Sequence, residues 1–422
     1  MFKRILQSKL KHYAQRIIAK YKPEVIGITG SVGKTGAKEA VYQVLSGNFS
    51  VRQSVKNYNN EIGLPLTIIG CQSAGRSAAG WLKVFRQAKQ LLQNTDKNYP
   101  KILILEMGVD RPDDMDYLLS IVQPTVGIIT AIGQSHLEFF KTSEGVAKEK
   151  GRLIEAIGID GWSILNYDDP ATAKLSRRTK SRIITYGLSN NAEVSAQEIN
   201  FSDREDQLGT RYKLCANGSV VPVWLPGAVG EPPVQASLVG AAVGLIYGMN
   251  TMAIAQALAE RQTMPGRLNL LPGQKNSLLL DDTYNAAPQS MAAAFKALDS
   301  FDKKRERVLI LGDMLELGPN SHDYHRTVGE QAAKLKPRLV IFVGEQMRQA
   351  ASAAISAGLS AKAAMTAKTS EEAATLLKKN LKNDDIVLIK GSQGMRLEKA
   401  VKAVLKNPKQ SSELARQGKE WG

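Results

Sequence analysis

A chain of 422 residues that is 43% hydrophobic and 23% charged carries enough apolar material for two or three domains with real cores, which excludes a disordered protein. Lysine and arginine outnumber aspartate and glutamate by 56 to 40, a formal net charge of +16, so anionic partners such as nucleotides, nucleic acid or a phospholipid surface fit it better than cationic ones. The two cysteines, Cys71 and Cys215, are far apart with no CxxC pair, which excludes a disulfide framework and a Cys-based zinc site and suits a reducing cytoplasm.

The opening stretch MFKRILQSKLKHYAQRIIAKYKP puts Phe2, Ile5, Leu6, Tyr13, Ile17, Ile18 and Tyr21 at helical spacing and predicts a basic amphipathic helix over 1–22. Lysine or arginine interrupts it every few positions, so it is not a signal peptide, and no other stretch is long and apolar enough to span a bilayer. Such a helix either packs its apolar stripe on the following domain, the expected fate, or lies on an anionic membrane surface.

From residue 24 short β-branched runs alternate with amphipathic stretches, the pattern of a parallel sheet covered by helices. EVIGIT, KILILE (101–106) and TVGIIT (125–130) read as buried strands. Between about 162 and 226 the strands become shorter and polar-interrupted, with a hairpin turn at Ala216-Asn217-Gly218, which reads as an antiparallel extension. Residues 234–260 read as two small-residue-rich helices, and RQTMPGR (261–267) as an interdomain hinge, because Pro265-Gly266 breaks a helix. A second alternating unit follows in SLLLDD, RVLILGD, RLVIFVG and DIVLIKG, and the polar tail after about 406 is expected to fray. The expectation is an α/β protein: a basic helix over 1–22, a P-loop domain over 23–264 with its antiparallel extension, and a smaller Rossmann-like α/β domain over 265–422.

One stretch carries chemistry on its own. In GITGSVGKTGAKEA (27–40) a strand runs into Gly30-Ser31-Val32-Gly33-Lys34-Thr35 and a helix begins. Glycines let backbone amides approach phosphate oxygens, the helix N-terminus adds positive potential, Lys34 reaches the terminal phosphates and Thr35 offers a hydroxyl to Mg²⁺. The common P-loop pattern wants glycine at 28, where this chain has isoleucine, so the loop is a variant. No zinc-finger spacing or RNA-recognition aromatic motif accompanies it, so nucleic acid is not the expected partner.

After the loop come, in order, NYNNEIGLPLT (57–67), EMG (106–108), TAIGQSHLEFF (130–140), EGVAKEKGRLI (144–154), DDTYNAAPQSM (281–291), LGDMLELG (311–318) and KGSQGMRLEK (390–399). Together they resemble the Mur ligase family of ATP-dependent amide-forming enzymes over about residues 24–405, and within it the members that add D-alanyl-D-alanine to UDP-N-acetylmuramoyl-tripeptide. The resemblance implies ATP and Mg²⁺ as cofactors, an acyl-phosphate intermediate, a muramoyl-peptide-like acceptor and a dipeptide amine, with a monomer acting in peptidoglycan synthesis. It implies that Thr35 and Glu106 hold the Mg²⁺ bridging the ATP phosphates and that His136 holds a second one. Lys150 matches the family lysine that CO₂ converts to a carbamate, with Lys148 nearby leaving the register open. Asn59, Asn60 and Glu61 match a substrate-side loop, although an Asn-Asn-Glu helix cap accounts for them equally well. Arg267, Asp282, Tyr284 and Asn285 match residues at the ATP phosphates, ribose and base, and Lys390, Ser392 and Arg396 residues lining the amine side.

The chain departs from the family pattern in three places. Only 26 residues precede Gly27, so the N-terminal domain that grips the UDP-sugar is expected to be missing. LPGAVGEPPVQASLVGAA (225–242) has no histidine where the family places adenine contacts, and RPDDMDYL follows Asp110 where substrate contacts are expected. Two alternatives stay open: a Mur-like ligase acting on a lipid-linked, folate-like or poly-amino-acid acceptor, and a non-catalytic basic P-loop nucleotide-binding protein.

Overall fold

The computed structural model describes residues 2–54, 58–133, 137–140, 142–202, 209–260, 265–301 and 304–417. The chain divides into two compact units, the first built from Met1–Gln197, Lys213–Val223 and Gln235–Glu260, the second from Glu198–Tyr212, Trp224–Val234 and Arg261–Gly422. The division is thus more than one cut at the Pro265-Gly266 break.

The first unit begins with α1 (Phe2–Tyr21), followed by β1 (Glu24–Thr29), α2 (Lys34–Ser46), β2 (Val51–Gln53), α3 (Gly63–Ile69), α4 (Ala78–Gln93) and β3 (Ile102–Glu106). Next come α5 (Asp114–Leu119), β4 (Val126–Ile129), α6 (Leu137–Phe140), α7 (Ser143–Glu155), β5 (Trp162–Asn166), α8 (Pro170–Lys174) and β6 (Arg182–Gly187). The strands β7 (Val194–Ser202), β8 (Gly209–Ala216) and β9 (Ser219–Pro226) precede α9 (Glu231–Ile246) and α10 (Thr251–Ala259). The sheet runs β2-β3-β1-β4-β5-β6-β7-β8-β9. β1 pairs in parallel with β3 on one side and β4 on the other. Chain connections therefore diverge at the carboxyl end of β1, where an open α/β sheet leaves a crevice. β8 and β9 meet at Asn217-Gly218, with φ of 48° and 73°, the two left-handed residues that a tight hairpin needs.

Helix α1 stops where Lys22 turns left-handed (φ 46°) and Pro23 cannot continue it. Its stripe of Leu6, Leu10, Ala14 and Ile17, spaced one helical turn apart, is buried in the cluster that holds Leu64, Ile68, Trp81, Val84 and Ala88 of α3 and α4. Tyr21 stacks on Tyr99 with ring centroids 4.2 Å apart. Packing, rather than exposure of the stripe, is therefore the outcome. Burying one such leucine contributes about 2 kcal/mol.

The second unit's own sheet is formed by β10 (Asn269–Pro272), β11 (Leu278–Asp282), β12 (Arg307–Gly312), β13 (Leu339–Val343), β14 (Ala364–Ala367) and β15 (Ile386–Lys390). Its order is β10-β11-β15-β12-β13-β14, parallel except for β10, which lies antiparallel to β11. The helices are α11 (Pro288–Asp299), α12 (Ser321–Lys334), α13 (Met347–Ser356), α14 (Ser370–Asn380) and α15 (Glu398–Val404). Strands β11, β12, β13 and β15 are apolar on both faces because two clusters cover them, one with Phe295 and Leu298, the other with Leu377 and Val401.

As far as residue 417 the tail corrects the expectation of fraying, and 418–422 lie outside the described residues. Residues 408–413 form a 3₁₀ segment, Leu414 and Ala415 are buried, and the Arg416 side chain is 3% exposed. Polar composition hid two apolar anchors and an arginine with buried partners.

Candidate functional site

The phosphate-loop residues Gly30, Ser31, Val32, Gly33, Lys34 and Thr35 connect β1 to α2. Gly30 has φ 152°, and a Cβ there would lie 2.0 Å from Thr130 Oγ1, so only glycine fits. Gly33, at φ 86°, caps the 13-residue α2 and leaves its first amides to face an anion. The loop is braced from the end of β4: Thr130 Oγ1 donates to the Val32 carbonyl at 2.6 Å, and Ser31 N donates to the Ala131 carbonyl at 2.8 Å. Lys34 Nζ donates to the Gly30 carbonyl at 2.6 Å.

Thr35 Oγ1 donates to Glu106 Oε2 at 3.2 Å, so the hydroxyl that opens α2 and the carboxylate that closes β3 converge. Glu106 is 4% exposed, and its amide donates to Ser54 Oγ at 3.2 Å. A buried carboxylate beside a hydroxyl is a pair of hard oxygen donors, the set that suits Mg²⁺ with phosphate oxygens completing the shell. Among the described residues no group of three or more His, Cys, Asp or Glu is arranged to hold a metal by itself. His136 lies outside the described residues.

Lys150 is in the middle of α7, 1% exposed, whereas Lys148 is exposed. Burial lowers the Lys150 ammonium pKa to about 7, helped by the charge of Lys34 and opposed by Asp110 and Glu149. Near neutral pH a large fraction of this amine is therefore unprotonated. Helix α7 is fixed at its start by Thr142 Oγ1, which accepts from Gly145 N. It is also tied to α5, since Glu149 accepts from Met115 N at 2.8 Å and Arg152 pairs with Asp113 and Asp116.

Among the substrate-side candidates, Asn60 Oδ1 accepts from Gly63 N at 3.0 Å and Ile62 N at 3.2 Å, the work of a helix cap for α3. The Asn59 carbonyl accepts from Gly108 N at 2.8 Å, two residues after Glu106 in sequence. Glu61 faces α1: Gln7 donates to it at 2.8 Å and Lys3 pairs with it at 3.1 Å; burial pushes its pKa up, but its own backbone amide, Lys3 and then Gln7 together hold it below the ordinary value.

In the second unit, Arg267 lies over the Tyr284 ring, 4.1 Å from its centroid. Asp282 is the hub: Oδ1 accepts from Leu268 N at 3.2 Å and Oδ2 from Lys390 Nζ at 2.6 Å, while Lys390 also donates to the Asn285 carbonyl at 2.9 Å. Lys390 is 1% exposed, so its charge is spent on this network. Ser392 Oγ accepts from Leu315 N at 2.8 Å, and Arg396 Nε donates to Glu398 at 2.6 Å. These residues form one group.

Sequence reasoning missed four supports of this machinery. Thr130 braces the phosphate loop. Asp281, fully buried, accepts from Gly266 N at 3.0 Å and from Thr283 Oγ1 at 2.7 Å. Asp313 accepts from Met347 N at 2.8 Å and Gln346 N at 3.3 Å. Arg416 donates to the Thr283 and Tyr284 carbonyls and to Glu398 Oε2, so the tail holds the loop that carries Tyr284 and Asn285. Thr130, Asp281 and Asp313 lie at the ends of recognised strands and so left a signal in the local sequence, whereas Arg416 left none.

Residues 86–228 match the Mur ligase middle domain, and residues 266–393 the Mur ligase, glutamate ligase domain. The chain is 28% identical over 405 residues to the UDP-N-acetylmuramoyl-tripeptide–D-alanyl-D-alanine ligase of Bacillus subtilis, covering 96% of this chain and 79% of that one. It is 30% identical over 388 residues to the ligase of the same name from Escherichia coli, covering 91% of this chain and 77% of the relative. The crystal structure of the MurF ligase from Thermotoga maritima in complex with ADP superposes with a TM-score of 0.77 at 25% identity, over 94% of this chain and 83% of that chain. With both domains matched and the phosphate loop, Thr35–Glu106 pair and buried Lys150 in one unit, the chain belongs to the Mur ligase family.

Proposed function

We propose that this chain is an ATP-dependent, ADP-forming ligase that adds D-alanyl-D-alanine to UDP-N-acetylmuramoyl-tripeptide in peptidoglycan synthesis. The observation that carries the reading is the convergence of Thr35 and Glu106 beside the Gly30–Thr35 loop, with a buried lysine whose pKa responds to the Lys34 charge. The likeness to ligases of that name over nine-tenths of the chain supports it.

A carboxylate resists amines until one of its oxygens becomes a good leaving group. The acceptor's carboxylate oxygen attacks the terminal phosphorus of ATP and ADP departs, giving an acyl phosphate. The amine nitrogen then bonds to the acyl carbon and gives up a proton. Phosphate leaves with the original carboxylate oxygen, so the atoms balance. The first step brings two anions together, and the cationic loop offsets their repulsion. Lys34 would leave the Gly30 carbonyl for the terminal phosphates, while the first amides of α2 hold the others. Mg²⁺, which Thr35 and Glu106 would hold, supplies charge neutralisation at the phosphates. Neutral Lys150 would add CO₂ and release a proton, turning an uncharged amine into a carbamate anion. We read His136 as a further metal ligand, and Arg267, Asp282, Tyr284 and Asn285 as nucleotide contacts. We read Asn59, Asn60, Glu61, Ser392, Arg396 and Lys390 as the substrate side, the last acting through Asp282.

The enzyme would act as a monomer in the cytoplasm, where ATP is available. Among the described residues no helix is long and apolar enough to cross a membrane. The basic outer face of α1 also fits an anionic membrane surface. The test is isotopic: with ¹⁸O in the acceptor carboxylate, one label should appear in the released phosphate for each amide formed. Unlabelled phosphate, or AMP in place of ADP, would overturn the proposal.

A further inference from the structure

The apolar stripe of α1 is consumed by packing, which leaves its outer face to be explained. On that face Ile5, Lys9 and Arg16 follow one another at helical spacing and are exposed, Ile5 by 47%. Helix α4 repeats the arrangement with Leu82, Arg86 and Lys89, all exposed, Leu82 by 67%. The helices lie side by side and run the same way. Tyr13 and Phe85 have ring centroids 5.8 Å apart, and Lys20 Nζ near the end of α1 donates to the Leu91, Leu92 and Asn94 carbonyls at the end of α4. No aspartate or glutamate occurs in residues 2–23 or 62–95, so the paired outer faces carry positive charge without internal neutralisation.

We infer that α1 and α4 together form a docking face for an anionic phospholipid surface, held by charge, with Ile5 and Leu82 entering the headgroup layer while α1 stays folded against α3 and α4. The inference deepens the reading of α1 as a membrane-facing helix and is independent of the ligase chemistry. An exposed aliphatic side chain set among the basic residues of each helix suits a lipid interface. Single-stranded nucleic acid would instead call for exposed aromatic platforms, and Tyr13 and Phe85 are turned into the contact between the helices.

The experiment is co-sedimentation of the full chain with vesicles of phosphatidylcholine alone or mixed with phosphatidylglycerol, at low and high salt. The paired variants Lys9→Glu/Arg16→Glu and Arg86→Glu/Lys89→Glu are compared, with thermal melting and ATP turnover as controls. Binding should need the anionic lipid and be reversed by salt, and each pair should weaken it about 25-fold or more, at about fivefold per charge, with turnover unchanged. Loss with the α1 pair but wild-type binding by the α4 pair would keep a membrane-facing α1 and overturn the two-helix face. Absence of binding to anionic vesicles, equal binding to phosphatidylcholine, or nucleic-acid binding abolished by the same variants without vesicle binding would overturn both.

Discussion

Replacing Lys150 with methionine removes the amine from a buried position while keeping an unbranched side chain one atom shorter. The folded pKa of Lys150 is lowered from 10.5 to about 7, first by burial and then by Lys34. Between those values the unfolded chain holds a proton that the folded chain has released. The Lys150 contribution to stability therefore rises with pH across that window and is lost as pH falls towards about 7. At 1.36 kcal/mol per pH unit, the window is worth about 5 kcal/mol. The difference in unfolding free energy between wild type and Lys150→Met should accordingly change by about 5 kcal/mol across the window, with the variant relatively favoured at its low end. Denaturant unfolding in CO₂-depleted buffer measures it, because carbamate formation would otherwise stabilise the wild type. Groups that do not interact with Lys150 titrate equally in both proteins and cancel. Parallel stability curves would refute the reasoning, since they would mean that the ammonium is as well solvated in the folded chain as in the unfolded one.

Lys34→Ala should reduce phosphate release by about a hundredfold or more while leaving the melting temperature near that of wild type, because the Gly30 carbonyl it bonds belongs to a loop that Thr130 also braces. Lys150→Ala should be inactive and partly rescued by a small added carboxylate, measured as ADP formation; indifference to the carboxylate would remove the anionic role. Arg416→Ala leaves the buried Glu398 with Arg396 as its cationic partner among the described residues, so it should lower stability by about 3 kcal/mol in denaturant titration and raise the KM for ATP more than it lowers kcat. Arg416→Lys, which keeps the charge but not the fork, should recover part of the stability.

The parts of the fold that depend on local pattern were legible. EVIGIT, KILILE and TVGIIT became β1, β3 and β4, and Gly-Lys-Thr announced the phosphate loop, because each needs only neighbours in sequence. Strand β14 was missed because AMTA is four residues long and only partly buried, and β10 because NLLP ends in a proline that a strand tolerates at an edge. Glu61 shows a different limit. Its sequence fits a cap or a substrate loop, but its partners are Lys3 and Gln7, 54 or more residues away, and no local rule could supply them. The Arg416 network fails to show for the same reason: Glu398 is a costly buried carboxylate until the tail returns to it, and the return is fixed by Leu414 and Ala415 rather than by any periodicity. Burial separates Lys150 from Lys148, and burial belongs to the packing of α7, which two lysines one position apart from a shared neighbour cannot reveal.

Asp281 carries the opposite pH dependence in the second unit, and its sign is unusual for a carboxylate that accepts several hydrogen bonds. Burial raises its pKa from 3.8 to about 6, outweighing the bonds from Thr283 and Gly266. Between those values the folded chain keeps a proton that the unfolded chain has lost, so this contribution is present at low pH and disappears as pH rises to about 6. The shift corresponds to about 3 kcal/mol. Asp281→Asn would turn an amide donor towards either the Gly266 or the Thr283 amide, a fixed cost of about 1–3 kcal/mol at every pH. The informative quantity is therefore the slope: wild type should lose about 3 kcal/mol relative to the variant between pH 4 and 6. At neutral pH the folded protein then carries an ionised Asp281 that burial disfavours, held because it joins Gly266 to Thr283 at the foot of the loop bearing Tyr284 and Asn285. A flat difference over that range would mean that Asp281 ionises as an exposed carboxylate does, and its three hydrogen bonds would then be ordinary turn contacts rather than a geometry maintained against desolvation.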